Sequence, residues 1–358
     1  MTGPLVIDGS HGEGGGQILR SAVAFSAMSG RPVRIERVRA GRSKPGLAAQ
    51  HVTAIRAAAA TCGAAVAGGD LGSQTLAFTP QYPVQAGAYA FDVAEARAGG
   101  SAGATSLVLQ TVLLPLAMAE GESQVTVRGG THMAWSPSFD YLRDVWLPAL
   151  RDMGVAAELE LDDWGWFPIG RGCVRATIVG QGRRRLIHRV LDQRGSLLDV
   201  TGRAVAANLP AHIPQRMADR ASALLRELDV PVRITPERVR AACAGAGLFM
   251  TARYECLNCG FSALGARGKT SEEVAEEAAT ALLAHWRSGA ALDAHLGDQI
   301  LAPLAVADGP SSFTVEAVSR HLETNAWLID CFGLARTTIR AAETGIGHVA
   351  VSPLEDGF

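Results

Sequence analysis

Three times in this chain an apolar run of helical period opens with a glutamine: Gly16-Gln-Ile-Leu-Arg-Ser-Ala-Val-Ala-Phe, Leu109-Gln-Thr-Val-Leu-Leu-Pro-Leu-Ala-Met and Asp298-Gln-Ile-Leu-Ala-Pro-Leu-Ala-Val. A chain that repeats itself builds its core from copies of one unit, so the repetition bounds the fold first. After each run a glycine-containing turn leads to a strand-like stretch, at 32–36, 124–128 and 312–315. A second helix is predicted next, over 47–62, 138–153 and 320–332. Two short strands close each unit: 64–67 with 76–79, 156–161 with 174–179, and 337–341 with 348–351. The fold class that follows is α/β, with three repeated helix–strand–helix–strand–strand units forming one large domain.

The glutamines are unequally spaced. Gln17 to Gln110 is 93 residues, Gln110 to Gln299 is 189, and the excess of 96 is the size of a small domain. It places an inserted α/β module between Arg183-Arg184-Arg185 and a helix ending near Arg287. The expected division is 1–184 with 288–358 for the repeats and 185–287 for the insert. Inside the insert, the pattern gives an alternating stretch at 186–205, a helix at 215–228, and strands at 232–235 and 248–254. A last helix spans 271–286, opened by Ser271 with Glu272 and Glu273 in its first turn.

Composition removes several classes. A hydrophobic fraction of 48% supports a core and excludes global disorder. The most apolar stretch, 107–119, is too short to span a bilayer and contains Gln110 and Pro115, so no membrane partner is expected. No charged segment followed by an apolar one opens the chain, so no secretory signal is expected. Six cysteines in 358 residues do not make a disulfide framework, and the expectation is a reduced, cytoplasmic protein. Lys44 and Lys269 are the only lysines beside 31 arginines, a skew that codon bias explains. A lysine nucleophile therefore has two candidates, and neither opens a Lys-x-Asp-Gly sequence.

Charge gathers near the start. Arg31, Arg34, Arg37, Arg39, Arg42, Lys44 and Arg56 face one acid, Glu36, in a chain of net charge −2. Such an excess points to an anionic ligand, although a solvated basic face has the same composition. Within it, Arg39, Arg42 and Lys44 are expected on a loop entering a helix whose first turn holds Pro45, with Gln50 and His51 just over a turn beyond Gly46. Arginine forks at such a place suit phosphate oxygens.

Asp8-Gly-Ser-His-Gly-Glu-Gly-Gly-Gly-Gln17 joins a strand at 5–7 to the first helix. Glycines at that junction let backbone N–H groups approach an anion, though a tight structural turn also wants them. No Gly-Lys-Ser/Thr follows, so it is not a Walker A loop. A structural turn leaves Glu13 unexplained, whereas a carboxylate beside a phosphate loop is a reasonable Mg²⁺ or Mn²⁺ ligand. His321, off the stripe of Leu322, Ala326 and Ile329 and near a helix start, is expected to stay neutral and act as base or nucleophile. Cys256 and Cys259 have metal-ligand spacing, but no second pair completes a zinc site, and ordinary thiols are the simpler reading. Asp162-Asp163 reads as a loop, and His132 is expected to face the same cleft as His321.

Together, Asp8-Gly-x-x-Gly-Glu-Gly-Gly-Gly-Gln-Ile-Leu-Arg20, Arg39-Ala-Gly-Arg-x-Lys-Pro-Gly-Leu with Gln50-His51, Leu71-Gly-Ser-Gln74, Gly129-Gly-Thr and His321-x-x-Thr-Asn resemble the RNA 3′-terminal phosphate cyclase family over nearly the whole chain. That resemblance implies three repeated α/β units plus an insert, and ATP-dependent conversion of RNA 3′-phosphate ends to 2′,3′-cyclic phosphodiesters. It implies that His321 takes AMP from ATP and passes it to the RNA 3′-phosphate, with pyrophosphate and then AMP released. It places Arg20, Arg39 and Arg42 in catalysis, Lys44, Gln50 and His51 at the RNA end, and Glu13 on the metal. Nucleotide contacts are implied for Gln110, Asp298, Gln299, His295 and Pro137. His295 stands where relatives carry an aromatic residue beside the adenine, and Trp135 is an alternative stacking face. A non-catalytic branch acting in ribosome assembly and an enolpyruvyl transferase are the alternatives; His321 with the intact arginines opposes the first, and the Glu13 loop the second.

Overall fold

The computed structural model describes residues 3–96, 101–182, 185–342 and 345–354. The first unit runs β1 (Leu5–Asp8), α1 (Gly16–Ser29), β2 (Val33–Glu36), α2 (Ala49–Cys62), β3 (Ala65–Ala67) and β4 (Leu76–Thr79). Its sheet has the order β1-β2-β4-β3. β1 lies parallel to β2, with Leu5 opposite Val33, and the other two pairings are antiparallel. The second unit repeats this with β5 (Ala88–Asp92), α3 (Thr105–Ala117), β6 (Glu120–Gly129), α4 (Phe139–Tyr141), α5 (Leu147–Asp152), β7 (Ala156–Asp163) and β8 (Gly172–Gln181), in the order β5-β6-β8-β7.

The third unit opens with β9 (Val190–Leu191) and is then interrupted. The insert comprises β10 (Leu197–Ala207), α6 (His212–Leu224), β11 (Val232–Val239), β12 (Gly245–Tyr254), β13 (Asn258–Leu264) and α7 (Ser271–Ser288). The unit resumes with α8 (Leu296–Ala305), β14 (Ser311–Val315), α9 (Arg320–Phe332), β15 (Ala335–Ala341) and β16 (Gly347–Pro353). β9 lies parallel to β14, and its sheet order, β15-β16-β14-β9, is the same arrangement a third time. The insert has its own sheet, β11-β10-β12-β13, and its own apolar cluster around Met217, Leu248 and Leu282.

The repeated unit is therefore strand–helix–strand–helix–strand–strand. The five-element unit expected from sequence omits the leading strand in the second and third copies. That strand is short in each case, and β9 has two residues, too few to show a period. Its pairing with β14 carries the third unit to Leu191, past the expected division at 184/185; Arg183 and Arg184 lie outside the described residues. The insert occupies the connection from leading strand to first helix, which in the first unit is the glycine loop.

Other expectations shift for local reasons. α2 starts at Ala49, so Pro45 lies in the preceding loop and Gln50 and His51 in the helix's first turn. Gly46, at φ 83° and bonded through its N–H to Val38 O at 2.9 Å, holds the chain in a turn that no helix can share. The helix expected over 138–153 is broken by a π turn at Leu142–Trp146. Asp162-Asp163 lies on β7, where Asp162 takes both prongs of Arg175 at 2.7 and 2.9 Å. α7 is capped by Thr270 rather than Ser271, its hydroxyl accepting from Glu273 N–H at 3.2 Å.

α1, α3 and α8, which carry the three repeat glutamines, pack in the shared core; Gln110 is the sixth residue of α3 and Gln299 the fourth of α8, so these two helices begin before the glutamine that the repeat places at their start. Every residue of α3 except Gln110 is buried, so the one place where that helix meets an opening is its glutamine. Asp293 joins the insert to this core. Its Oδ1 accepts from Tyr141 Oη at 2.8 Å and from the N–H groups of His295 and Leu296 at 2.9 and 3.0 Å, and its Oδ2 from Gly260 N–H at 3.1 Å. Asp293→Ala strands these donors out of water and uncaps α8. The expected loss of unfolding free energy is about 3 kcal/mol, read as a lower urea midpoint at unchanged slope.

Candidate active site

The loop at 9–15 connects β1 to α1 and rests against two other helices. Gly12 and Gly14 have φ of 56° and 61°, which favour glycine. A Cβ at Gly12 would strike Thr324 Oγ1 of α9, and one at Gly16 would strike His51 Nε2 of α2. α9 fixes the loop from outside: Glu13 N–H donates to Thr324 Oγ1 at 3.1 Å, and His11 stacks on Trp327 with centroids 3.9 Å apart.

His321 stands in the first turn of α9, beside the cap in which Ser319 Oγ accepts from Leu322 N–H at 3.1 Å. Its Nδ1 lies 2.5 Å from Gln17 Oε1. An amide oxygen only accepts, so Nδ1 carries the proton and Nε2 keeps a free lone pair. Burial, then the positive charges of Arg20 and Arg42 and the nearby His295, hold the imidazole below its usual pKa of 6.5. The ring is neutral at pH 7, as the helix-start argument expects, but desolvation and neighbouring cations are the stronger causes.

Arg20, Arg39, Arg42 and His51 gather on the other side of the loop. His51 Nδ1 accepts Ala48 N–H at 3.1 Å, which fixes the neutral ring with its proton on Nε2. Burial, then Arg20, Arg39 and Arg42, push it well below the ordinary histidine range. Arg39, in the left-handed region at φ 55°, donates to Gly46 O at 2.6 Å, and burial lowers its pKa. Arg42 pairs with Glu13. Gln50 Oε1 accepts Ala104 N–H at 3.1 Å, tying α2 to the start of α3.

The other two repeat glutamines meet each other. Gln110 Nε2 donates to Gln299 Oε1 at 2.7 Å, and Gln299 Nε2 to His295 O at 2.9 Å. Beside them burial, reinforced by Asp293, pushes the Asp298 carboxyl up to about 8 despite Arg20, so it holds its proton at neutral pH. Arg20 is itself lowered to about 10 by burial, with Asp298 opposing the shift. Asn325, from α9, donates to Asp298 O at 2.9 Å and accepts from Ser21 Oγ at 2.9 Å.

The RNA 3′-terminal phosphate cyclase family model matches residues 11–339. The chain belongs to that family. Relatives named RNA 3′-terminal phosphate cyclase include one from Methylococcus capsulatus, 59% identical over 97% of this chain and 96% of its own length. Another, from Nostoc punctiforme, is 50% identical over 95% of this chain and 97% of its own. A third, from Archaeoglobus fulgidus, is 41% identical over 92% and 95%. A solved enolpyruvyl transferase, NikO from Streptomyces tendae, aligns with 99% of this chain and 66% of its own at 13% identity, with a TM-score of 0.23. A likeness that small carries no argument about fold or chemistry.

In this cyclase-family chain, Glu13 fits a hard divalent cation. Both carboxylate oxygens are buried and take no hydrogen bond of ordinary geometry, and the side chain touches Arg42. Among the described residues no group of three or more His, Cys, Asp or Glu side chains could hold a metal. A cation bound to Glu13 would complete its shell with phosphate and water oxygens, as Mg²⁺ commonly does. Cys259 donates its thiol to Ala291 O at 3.3 Å and burial pushes it well up, while Cys256 is exposed.

Of the sequence-derived candidates, the structure brings Glu13, Arg20, Arg42, His51, His321, His295, Gln110, Asp298 and Gln299 into one connected group, with Arg39 and Gln50 at its margin. Lys44 is exposed on the loop and Pro137 is half-buried before α4. No hydrogen bond or ion pair among the described residues joins either to the group. His132 corrects the expectation of a cleft residue. It is enclosed, with Nε2 2.8 Å from Asp140 and its ring stacked on Trp164 and Trp166 at 4.4 and 5.0 Å. Trp135 is fully exposed. Sequence reasoning passed over Gln17 and Thr324 as individual site residues. Gln17 was signalled by its place in the repeat and Thr324 by the His321-x-x-Thr-Asn motif, but its contact with Glu13, 311 residues away, has no local signal.

His51 and His132 set an acid limit on stability. Both folded-state pKa values lie below the unfolded 6.5, His51 mainly through burial and His132 through burial against the pull of Asp140. Above pH 6.5 both states are neutral at these rings and neither contributes. Below it the unfolded chain takes up protons that the folded chain refuses, so stability falls with pH by up to about 1.4 kcal/mol per unit for each ring. Urea midpoints measured between pH 7 and pH 5 are expected to fall; midpoints flat over that range would contradict the assignment.

Proposed function

We propose that the chain is an ATP-dependent RNA 3′-terminal phosphate cyclase working through a histidine–AMP intermediate. The observation that carries this reading is His321, neutral, with Nδ1–H held by Gln17 and the Nε2 lone pair unengaged among the described residues, near the guanidinium groups of Arg20 and Arg42. Nε2 attacks the α-phosphorus of ATP; a P–N bond forms, the P–O bond to the β-phosphate breaks, and pyrophosphate leaves. An oxygen of the RNA 3′-phosphate then attacks the same phosphorus, the P–N bond breaks, and AMP passes to the RNA. Finally the vicinal 2′-hydroxyl, losing its proton, attacks the 3′-phosphorus and expels AMP, which leaves the 2′,3′-cyclic end. Adenylylation supplies the leaving group that a phosphate monoester lacks, and covalent catalysis divides the transfer into separate displacements.

The nucleotide lies against Gln110, Gln299, Asp298, His295 and Pro137 in this reading. A protonated Asp298 adds no negative charge beside the phosphates and has a hydrogen to donate. Arg20, Arg39 and Arg42 neutralise phosphate charge, and Lys44, Gln50 and His51 receive the RNA end. Glu13 holds Mg²⁺ or Mn²⁺, which supplies charge neutralisation on the phosphates when bound. No helix among the described residues is long and apolar enough to cross a membrane, and the six free thiols fit the reducing cytoplasm. The test is incubation with ATP, divalent metal and an RNA labelled in its 3′-phosphate. Label that becomes resistant to phosphomonoesterase supports cyclisation; label that stays sensitive with folded protein overturns it.

A further inference from the structure

Two loops of the second unit lie side by side, and each leaves one aromatic side chain in solvent. Trp135 is 100% exposed and Phe167 73%, with Ile169 beside it. The backbone below them is tightly fixed. Thr131 and His132 N–H groups both donate to Gly165 O, at 2.9 and 3.1 Å, and Gly165 N–H donates to Thr131 Oγ1 at 2.9 Å. Under the loops His132 stacks on Trp164 and Trp166, and Arg203 lies over Trp164 at 5.1 Å.

Trp135 and Arg171 also occupy the left-handed region, at φ 64° and 58°. A bulky residue in that conformation with its ring wholly in water gains nothing for the fold, and such outliers gather at functional sites. Arg171 is exposed beside the second loop, and exposed Arg240 adjoins Ala241, which bridges Trp164. The chain as a whole is near neutral, so exposed arginines on the segments that adjoin the exposed aromatic residues are a local feature. The platform connects to the active-site group. Gly130 N–H donates to Gly103 O at 2.9 Å and Thr105 N–H to Gly130 O at 2.8 Å, in the same turn whose Ala104 N–H is held by Gln50.

Resting on the cyclase reading above, we propose that Trp135 and Phe167 form a stacking platform for the unpaired bases immediately upstream of the RNA 3′-phosphate. Exposed aromatic faces take any base, arginines follow the backbone, and a pinned loop is pre-organised for stacking. A second copy of this chain is the competing occupant.

The experiment measures fluorescence anisotropy of a labelled single-stranded RNA of about ten nucleotides with a 3′-phosphate, bound to the whole chain without ATP. A matching RNA is abasic at the positions upstream of its last nucleotide. Trp135→Ala and Phe167→Ala are each expected to raise Kd for the intact RNA about fivefold or more, with little effect on the abasic RNA, and Trp135→Phe is expected to restore binding. An unchanged Kd, or equal loss on both RNAs, overturns the platform. A dimer that becomes a monomer on Trp135→Ala with RNA binding intact assigns the surface to a second copy. Separately, a wild-type chain that shows the stacking signature but takes no AMP from ATP loses the cyclase reading and keeps the platform. A wild type that takes AMP but binds both RNAs alike loses only the platform.

Discussion

His321→Ala is expected to abolish transfer of AMP from ATP to the protein, a fall on the order of 10³-fold or more, while the fold survives. The side chain is half-buried and off the apolar face of α9, and its hydrogen bond to Gln17 is worth about 1 kcal/mol. A near-unchanged urea midpoint would therefore accompany the lost activity. Neither His51 nor Lys44 is placed to substitute. His51 carries its proton on Nε2 and spends Nδ1 on Ala48, and Lys44 is exposed on the loop outside the group. The pH profile adds a second readout. Because the His321 pKa is held below 6.5, the neutral nucleophile persists on acidification through that value. Adenylylation by the wild type is expected to hold through pH 6.5 and to fall only below it. A profile that halves at or above 6.5 would contradict the depressed pKa.

Glu13→Ala is expected to lower metal-dependent adenylylation on the order of 10²-fold. The carboxylate lies against Gly15, is paired with Arg42 and is short of ordinary hydrogen bonds. Removing it deletes the carboxylate that would hold a cation at the loop and releases Arg42 toward the phosphates. The second effect partly offsets the first in ATP binding, so the loss should appear in the rate constant rather than in KM for ATP. Single-turnover labelling across a series of Mg²⁺ and Mn²⁺ concentrations makes the distinction. A variant that reaches the wild-type rate at saturating metal retains its metal site, and the assignment of Glu13 then fails.

The architecture was legible because its period is long and its helices are strongly apolar. α1, α3 and α8 announce themselves by their glutamines, and α3 is buried on every side except at Gln110. What escaped was short or held by distant partners. β9 is two residues pinned to β14 across the whole insert, and no local pattern can disclose it. Pro45 suggested a helix start, but the left-handed Gly46 turn overrode it. At the site, residue types announced the arginines, Glu13 and His321, because fixed charge and nucleophilicity reside in the side chain itself. Orientation did not: only the fold brings Gln17 onto His321 Nδ1, or buries Asp298 until it keeps its proton. His132 failed the other way, since its neighbours Trp164, Trp166 and Asp140 close around it in three dimensions.

The most direct test of the central claim is to incubate the wild-type chain with α-³²P-ATP and Mg²⁺ or Mn²⁺, digest it under alkaline conditions and locate the label by mass spectrometry. The account predicts one AMP, acid-labile and alkali-stable as a phosphoramidate, on the peptide containing His321. Label on Lys44 or Lys269, or no label on a folded chain, would contradict it.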